Sequence, residues 1–476
     1  MDALLLARWQ FATTTVYHYL IVPLSIGLTA LVAVMQTLAY RNRGTEVGDT
    51  WDRAARFYGR IMLVLFALGI VTGIVQEFQF GMNWSAYSRF VGDIFGAPLA
   101  MEGLIAFFLE STFLGLWIFG RDLLGPRLHL ACIWLAALGS TISAYFILAA
   151  NSFMQHPVGF RINPVKERAE LTSIWKVLTN STQLVTFPHT IFAAFMTASA
   201  ILVTVAAYHV RRGRKQTDLV HRKVLRLGIG VLIVSAILTF MVGHWQGQIM
   251  TDQQPMKMAS AEALCDGRSS APFSLFAVGS VEGCENKVDI TIPNGLSFLA
   301  TNTFDGYVDG VNDVQAQEAA KYGPGSYIPV IWIAYWSFRL MMGFGFLAAG
   351  LGLVLLIQWR RGKLEESSRW LRVATWIVVL PLLANTFGWL FTETARQPWL
   401  VYGVLRTRDG VSPNVSSGFV LSTLIGFTVL YGILGVICFW LVRRIARTGP
   451  DPVAGDRRPQ ETVGPDAAAD HELTLT

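Results

Sequence analysis

The amino-acid sequence predicts an all-α integral membrane protein with nine transmembrane helices, its N-terminus outside the cell and its C-terminus in the cytoplasm. Three observations support this fold class: the composition, the number of long apolar runs and the distribution of Lys and Arg. Of the 476 residues, 53% are hydrophobic and only 15% are charged, whereas a soluble protein carries about 25% charged residues. A soluble enzyme is therefore excluded. A disulfide scaffold is excluded too, because the chain has only 4 Cys.

Long apolar runs recur along the chain. A hydrocarbon core about 30 Å thick needs roughly 20 apolar residues for one helical crossing. Nine runs of about that length occur, at residues 11–40, 57–78, 97–119, 128–155, 185–210, 224–245, 328–358, 371–391 and 418–442. They show no internal repeat, and so lack the repeat pattern of many secondary transporters.

Basic residues set the predicted orientation. Alternate connections between the runs hold 22 Lys and Arg, and the other set, with the N-terminus, holds 13 in much longer segments. Short cytoplasmic loops carry an excess of Lys and Arg. This rule places the N-terminus outside and the C-terminus inside. An odd number of crossings likewise requires the two termini to lie on opposite sides.

The runs divide the chain into four segments. Residues 1–245 hold the first six helices, and residues 328–447 hold the last three. Between them, residues 246–327 form a long polar external connection, and connections of this length are usually functional or disordered. Residues 448–476 have the composition of a disordered cytoplasmic tail.

The four cysteines separate by the predicted topology. Cys265 and Cys284 lie in the external connection, in a compartment where disulfides persist. We therefore expect a bridge between them. Cys132 and Cys438 lie in apolar runs and are expected to be buried free thiols.

A few ionisable side chains interrupt or close the apolar runs. They are His18, Glu77, Glu102, Glu110, His189, Arg339 and Glu393. Charges at membrane depth are costly, so each is a functional candidate. Each also has a structural alternative, as a packed His or a buried ion pair. The predicted topology places one such residue from each of five helices within roughly 15 Å of the outer face: His18, Glu102, His189, Arg339 and Glu393. Five unrelated structural roles would not explain this clustering.

These residue types suit haem better than zinc, which prefers closely spaced His and Cys ligands. Two deep His accompany Met341 and Met342, and a His/Met pair favours a six-coordinate electron-transfer haem. A His or a carboxylate facing an open position suits a haem that binds a diatomic gas. The chain has no CxxCH motif, which excludes covalently attached haem.

The sequence resembles a known family. Over about residues 5–447 it is similar to subunit I of the cytochrome bd quinol oxidases. The segments that carry the resemblance are RWQFATTTVYHYLIVPLSIG at 8–27, EFQFGMNWSAYSRFVGDIFGAPLAMEGLIAFFLEST at 77–112, FPHT at 187–190, FRLMMGFGF at 338–346 and GWLFTETARQPW at 388–399.

The resemblance implies a role for each polar residue in the membrane. His189 and Met341 match the axial ligands of a low-spin haem b, with Arg339 beside it. His18 and Glu393 resemble the ligands of two high-spin haems, one b and one d, and we favour His18 for haem d.

Further cofactor contacts follow from the same resemblance. Trp389 resembles an aromatic residue packed between haems, and Arg396 belongs to the motif that follows Glu393. Glu102 matches a candidate opposing ligand of a high-spin haem, and Glu110 a member of a proton relay.

The external connection resembles the shorter class of the family's quinol-binding loops. Lys257 and Glu262 fall on its quinol-linked Lys and Glu, and a general base beside a cation is what quinol deprotonation needs. Solvated loop charges are the alternative. Two departures are Ala395 in place of the usual Gly, and the Cys pair, which only a subset of members has.

The implied enzyme is a terminal oxidase of the bacterial cell membrane. It oxidises membrane quinol, either menaquinol or ubiquinol, at the outer face and reduces O2 to water with cytoplasmic protons, without pumping. The resemblance implies a partner subunit II and is compatible with additional small single-helix subunits. It implies no nucleic-acid partner. Two alternatives are a b-type cytochrome that only transfers electrons, which would not need His18 or Glu393, and a haem-free transporter.

Overall fold

The structure is a computed structural model that describes residues 2–213, 218–279, 284–364 and 368–451. Within these ranges nine helices are long and apolar enough to cross a membrane, as predicted. We number them spans 1 to 9: Ala3–Arg41, Glu46–Met82, Ser85–Phe119, Pro126–Gln155, Ser181–Arg211, Leu219–Gln253, Ile331–Arg360, Arg369–Thr394 and Ser417–Thr448.

The two ends of the bundle differ in their connections. At one end the spans are joined by short segments, such as residues 42–45 and 120–125. At the other end, which we name the loop end, lie the longer connections 156–180, 254–330 and 395–416. Of the predicted tail 448–476, residues 452–476 lie outside the described residues.

The helices extend past the apolar runs because polar caps define their true ends. Span 1 begins after Asp2, whose side chain accepts a hydrogen bond from the Leu4 amide, and span 2 begins after Thr45, which caps the Gly48 amide. Span 9 begins after Ser416, which caps the Phe419 amide. Such caps satisfy amide groups that no helical carbonyl can reach.

Span 3 contains a local change of helix type. Residues Ser85–Met101 and Phe108–Phe119 are α-helical, and the intervening segment Glu102–Phe107 is a π-helix. π-Helical segments are rare and occur frequently at functional sites. Glu102, a predicted functional residue, begins this one.

The connection predicted over 246–327 is folded, and its start differs from the prediction. Residues 246–253 continue span 6 as helix, because a helix that leaves the hydrocarbon core needs no apolar sequence. Short elements follow: helices Pro255–Glu262, Gly295–Thr301 and Val311–Tyr322, and strands Arg268–Ser269, Phe273–Gly279, Asn286–Ile292 and Tyr307–Val308. We name Pro255–Glu262 the loop helix.

The other connections at the loop end hold smaller elements. Strands Phe160–Asn163 and Arg168–Leu171 pair antiparallel, as do Trp399–Val401 and Leu405–Arg406. A short helix, Ile174–Leu178, precedes span 5, and a 3-10 turn, Thr407–Asp409, follows the second hairpin. Span 8 comprises two α-helical pieces, Ser368–Ala374 and Val379–Thr394.

The predicted bridge in the 254–330 connection is confirmed. Cys265 and Cys284 form a disulfide, with their Cα atoms 5.3 Å apart. The bridge links the segment after the loop helix to the start of the strand Asn286–Ile292. Cys132 and Cys438 are free and buried, also as predicted.

Candidate active site

A cavity of about 550 Å³ lies at the loop end, between spans 5, 6, 7 and 8 and the loop helix. This volume falls within the usual range for small-molecule and cofactor sites. Its wall includes His189, Met341, Trp389, Lys257 and Glu262. One cavity therefore joins side chains predicted for two different roles, which the sequence placed on three spans and an external connection.

His189 is held in one tautomer. Its Nδ1 lies 3.1 Å from the carbonyl oxygen of Thr239. A carbonyl can only accept a hydrogen bond, so Nδ1 carries the proton and Nε2 keeps its lone pair. That is the form in which an imidazole binds a metal, and Met341 lines the same cavity.

His18, which lies outside this cavity, is held in the same tautomer as His189. Its Nδ1 lies 2.8 Å from the hydroxyl oxygen of Thr72. That hydroxyl donates to the carbonyl of Leu68 at 2.9 Å, so the imidazole is the donor of the pair. The Nε2 lone pair of His18 is thereby left for another partner.

A glycine on a neighbouring span faces each of three side chains: His18, His189 and Met341. A Cβ at Gly73 would lie 3.3 Å from His18, and one at Gly243 would lie 3.2 Å from His189. At Gly388 a Cβ would lie 2.9 Å from the sulfur of Met341. The glycines therefore provide the room that these side chains occupy.

Glu393, at the loop end of span 8, has both carboxylate oxygens bound. Oε1 accepts from the Asn151 amide at 3.0 Å, and Oε2 accepts from Nη2 of Arg396 at 2.6 Å. Arg396 is 3% exposed, and its Nη1 is buried without a hydrogen-bond partner among the described residues. A buried guanidinium fixes the carboxylate and keeps an unused donor beside it.

Trp389 lies one turn before Glu393 on span 8. Its ring stacks on Tyr19 of span 1, with centroids 4.8 Å apart. The indole Nε1 is buried and has no partner among the described residues. Buried polar atoms in proteins are normally hydrogen-bonded, so this donor is available to a bound group.

Glu102 and Glu110 both face span 4. Ser143 donates to Glu102 Oε1 at 2.6 Å, and Ser140 donates to Glu110 Oε1 at 2.6 Å. The second oxygen of Glu102 is buried without a partner among the described residues. The two carboxyl groups thus follow one face of span 4, with Glu102 nearer the loop end.

Glu262 of the loop helix pairs with Arg339 of span 7. Nη2 of Arg339 lies 2.5 Å from Glu262 Oε2, and the two side chains are 7% and 2% exposed. Arg339 also packs over the ring of Phe273 at 4.5 Å, and its Nε and Nη1 have no partner among the described residues. Burial raises the pKa of the Glu262 carboxyl, and Arg339 partly offsets this.

Lys257 is buried rather than solvated, with 4% of its surface exposed. Its Nζ donates to Gln155 Oε1 at 3.0 Å and to the carbonyl of Thr392 at 3.2 Å. Burial, and to a smaller extent the charge of Arg396, lower the pKa of Lys257 to about 7. The cation in contact with Glu262 is thus Arg339, whereas Lys257 binds span 4 and span 8.

The neutral partners of this site were not predicted from the sequence. Asn151 and Gln155 stand four residues apart in the last turns of span 4 and connect to Glu393 and Lys257. Ser140 and Ser143 bind the two acids of span 3. The available signal was a row of polar side chains on one face of an apolar run.

The same site does not suit a bare metal ion. Within the part of the chain that the structure describes, no three His, Cys, Asp or Glu side chains are grouped closely enough to hold one. Single His, Met and Glu side chains instead suit a cofactor whose iron already has equatorial ligands.

A sequence model of the family described as cytochrome bd terminal oxidase subunit I matches residues 6–450. The chain belongs to the cytochrome bd terminal oxidase subunit I family. It is 43% identical over 471 residues to the cytochrome bd ubiquinol oxidase subunit 1 of Bacillus subtilis (strain 168), covering 97% of this chain and 98% of that protein.

Two further comparisons cover nearly the whole chain. The cytochrome bd-II ubiquinol oxidase subunit 1 of Escherichia coli (strain K12) is 33% identical over 517 residues, covering 97% of this chain and 99% of that protein. The structure of the bd oxidase from Geobacillus thermodenitrificans matches with a TM-score of 0.85 and 27% identity, covering 94% of this chain and 99% of that one.

Membership in the cytochrome bd subunit I family establishes the general activity and location. The chain is a subunit of a terminal oxidase, an oxidoreductase, and a multi-pass protein of a bacterial membrane. The family implies haem cofactors and a partner subunit II. The predicted family, the helical membrane fold with nine spans and the enzyme class are therefore confirmed.

Proposed function

We propose that this chain is the haem-bearing subunit of a quinol:O2 oxidoreductase in which quinol oxidation and the low-spin haem share one cavity. The observation that supports the proposal most strongly is the composition of that cavity's wall. It carries His189 and Met341 together with Lys257 and Glu262. A donor of electrons and their first acceptor would therefore lie close together.

The residues at the cavity fit a haem. His189 presents an Nε2 lone pair, and a methionine sulfur lies on the same wall. The unpartnered Nε and Nη1 atoms of Arg339 and Nε1 of Trp389 are buried donors, which suit acidic groups at a cofactor's edge. We assign low-spin haem b to His189 and Met341, since a His/Met pair supports electron transfer at raised potential.

His18 and Glu393 are proposed to hold the two high-spin haems. We favour His18 for haem d, and thus Glu393 for the high-spin haem b. Glu102, with its unpartnered Oε2, is the candidate opposing ligand. When bound, these haems supply the redox chemistry of O2 reduction; the protein orients them and excludes water.

Lys257, Glu262 and Arg339 are proposed to handle the quinol. A buried ammonium at Lys257 can donate to a quinol oxygen. Glu262 can take the hydroxyl proton on its carboxylate, whose Oε2 is held beforehand by the guanidinium of Arg339 at 2.5 Å. The chemistry fits any two-hydroxyl quinol. The B. subtilis and E. coli relatives are named ubiquinol oxidases, and a third, 30% identical, is named a putative menaquinol oxidase.

The orientation proposed from Lys and Arg places the loop end outside the cell. Protons from quinol then leave at the outer face, and protons for water rise from the cytoplasm. Glu110 and Glu102, each held by a serine of span 4, are proposed to carry protons along this route. Charge is thus separated without a pump.

Subunit II is proposed to cover the faces that the chain leaves open. Only 11% of the residues in the most apolar stretches of spans 3 and 9 are buried within the chain, against 72% for span 5. Lipid covers part of these faces, and a helical partner suits the rest. Small single-helix subunits would bind in the same way.

A reduced-minus-oxidised visible spectrum of the purified complex tests the proposal. We expect low-spin b bands together with a far-red chlorin band. His189→Ala and Met341→Ala should each remove the low-spin bands, whereas Glu393→Ala should remove a high-spin signal. A spectrum with only b-type bands would instead support a cytochrome that transfers electrons without reducing O2. The absence of haem bands would overturn the proposal.

A further inference from the structure

Four side chains form a continuous row of hydrogen bonds from the loop helix to span 8. Lys257 Nζ donates to Gln155 Oε1 at 3.0 Å, Gln155 Nε2 donates to Asn151 Oδ1 at 2.7 Å, and Asn151 Nδ2 donates to Glu393 Oε1 at 3.0 Å. The row joins three separate elements through one turn of span 4.

The direction of the row is fixed by its ends. An ammonium group has only donors, and a carboxylate has only acceptors. Gln155 must therefore turn its oxygen to Lys257 and its NH₂ to Asn151, and Asn151 must turn its NH₂ to Glu393. Reversing either amide would place two donors or two acceptors in contact.

The row is buried at Lys257 and Gln155, half-buried at Asn151 and Glu393, and anchored at its centre. Gln155 is 5% exposed, and its backbone carbonyl accepts from the Gln254 side chain at 2.8 Å. Gln254 immediately precedes the loop helix. The end of span 4 thus holds the loop helix through both its backbone and its side chain.

We propose that Asn151 and Gln155 are positioning residues that fix the Lys257 ammonium and the Glu393 carboxylate relative to each other. This inference rests on the proposed function, in which Lys257 binds quinol and Glu393 holds a high-spin haem. The two amides then join the quinol site to that haem, so that a change at one end alters the geometry at the other.

Substitutions of the amides separate the two halves of the row. Asn151→Leu removes the donor to Glu393 but leaves Lys257 with Gln155. Gln155→Leu removes the side-chain acceptor of Lys257, which keeps the carbonyl of Thr392, and removes the donor to Asn151. Gln155→Glu keeps an acceptor for Lys257 but, when ionised, has no donor for Asn151.

Two readouts follow the two ends: the midpoint potential of the high-spin haem at Glu393, and the KM for quinol. We expect Asn151→Leu to shift the potential and leave KM within about twofold of the wild-type value. Gln155→Leu should shift the potential and also raise KM about tenfold, since a hydrogen bond to a charged group is lost. Gln155→Glu should restore KM but not the potential.

Coupling is tested by combining Asn151→Leu with Gln155→Leu. Because both interrupt one row, the potential of the double variant should shift no further than that of Asn151→Leu alone. Additive shifts would overturn the proposal, and so would wild-type potentials in both single variants. If Asn151→Leu does not assemble, Asn151→Ser, which is smaller and polar, takes its place.

A matched control is Gln36→Leu, which removes another buried amide. Gln36 binds His129 and the Trp117 indole, each at 2.7 Å, away from the cavity wall. It should leave the potential and KM unchanged. Glu393→Ala distinguishes a wrong ligand assignment from a wrong role of the amides: if it loses no haem signal, the ligand assignment is wrong. If it loses one while the amide variants match wild type, only this inference fails.

Discussion

Arg339 of span 7 donates from Nη2 to Glu262 of the loop helix at 2.5 Å, with both side chains buried. The pair ties an element outside the membrane to a helix within it. Neither charge has enough water to stand alone, so each depends on the other. Since Glu262 also lines the cavity, the tie places a carboxylate where a substrate would bind.

Glu262→Gln tests this pair. The amide keeps the shape but leaves the charge of Arg339 uncompensated, and breaking a buried pair costs about 3–5 kcal/mol. We expect a lower melting temperature and at least a tenfold loss of quinol oxidation, measured with haem content determined in the same sample. Glu170→Gln is the control, because Glu170 pairs with Arg161 in another connection. Wild-type turnover in Glu262→Gln would refute the assignment.

The pH dependence of quinol binding should follow Lys257. Its pKa is lowered by burial from 10.5 to about 7, so the ammonium is present below pH 7 and loses its proton as the pH rises through 7. We expect KM for quinol to rise above that pH by up to about tenfold per unit. Lys257→Arg, which stays charged, should give a flat profile, and a sloping one would contradict this role.

The same shift has an opposite effect on folding. Between pH 7 and 10.5 the unfolded chain binds more protons at Lys257 than the folded chain does. The contribution of this group to the free energy of unfolding therefore increases with pH over that window. A rise in KM above pH 7 would thus not reflect unfolding caused by Lys257.

Gly388→Ala should displace Met341. The new Cβ would lie 2.9 Å from the methionine sulfur, and the flexible side chain would have to turn away. We expect loss of the low-spin bands and a lower midpoint potential, because a methionine ligand raises the potential. Gly350→Ala is the control, since no atom of the described residues lies within 4 Å of a Cβ there. Unchanged low-spin bands in Gly388→Ala would argue against Met341 as a ligand.

Features that depend on residue type or on the length of an apolar run could be predicted from the sequence. The lengths of the apolar runs predicted the nine spans. Ionisable side chains at membrane depth identified functional candidates such as His189 and Glu393. The ends of span 6 and the folding of residues 254–330 were not predictable in this way, because outside the hydrocarbon core a helix needs no apolar pattern.

The contacts between functional side chains were harder to predict than the functional residues themselves. Arg339 was recognised as unusual, but its partner Glu262 comes from a distant segment. Asn151 and Gln155 stand in a row of polar side chains on one face of span 4, but neutral amides near a helix end are common, so the row does not reveal their partners. Which charge they meet depends on how spans 4 and 8 are rotated, which only the tertiary packing fixes.

Glu110 should carry protons toward the site of O2 reduction. Its Oε1 accepts from Ser140 at 2.6 Å, and it lies farther from the loop end than Glu102. Glu110→Gln can still accept the hydrogen bond but has no carboxyl group to gain and lose a proton, so we expect turnover to fall about 100-fold, within the usual range for a lost acid–base group. The haem spectrum should not change, because no haem ligand is altered.

Two serine variants separate a proton route from simple packing. Ser140→Ala removes the hydroxyl that orients Glu110 and should slow turnover less than Glu110→Gln does. Ser111→Ala removes a hydroxyl that donates to the Phe107 carbonyl rather than to an acid, and it should have no effect. Oxygen consumption measured at saturating quinol gives the comparison. If Glu110→Gln turned over at the wild-type rate with full haem content, protons would have to reach the site by a route that excludes Glu110.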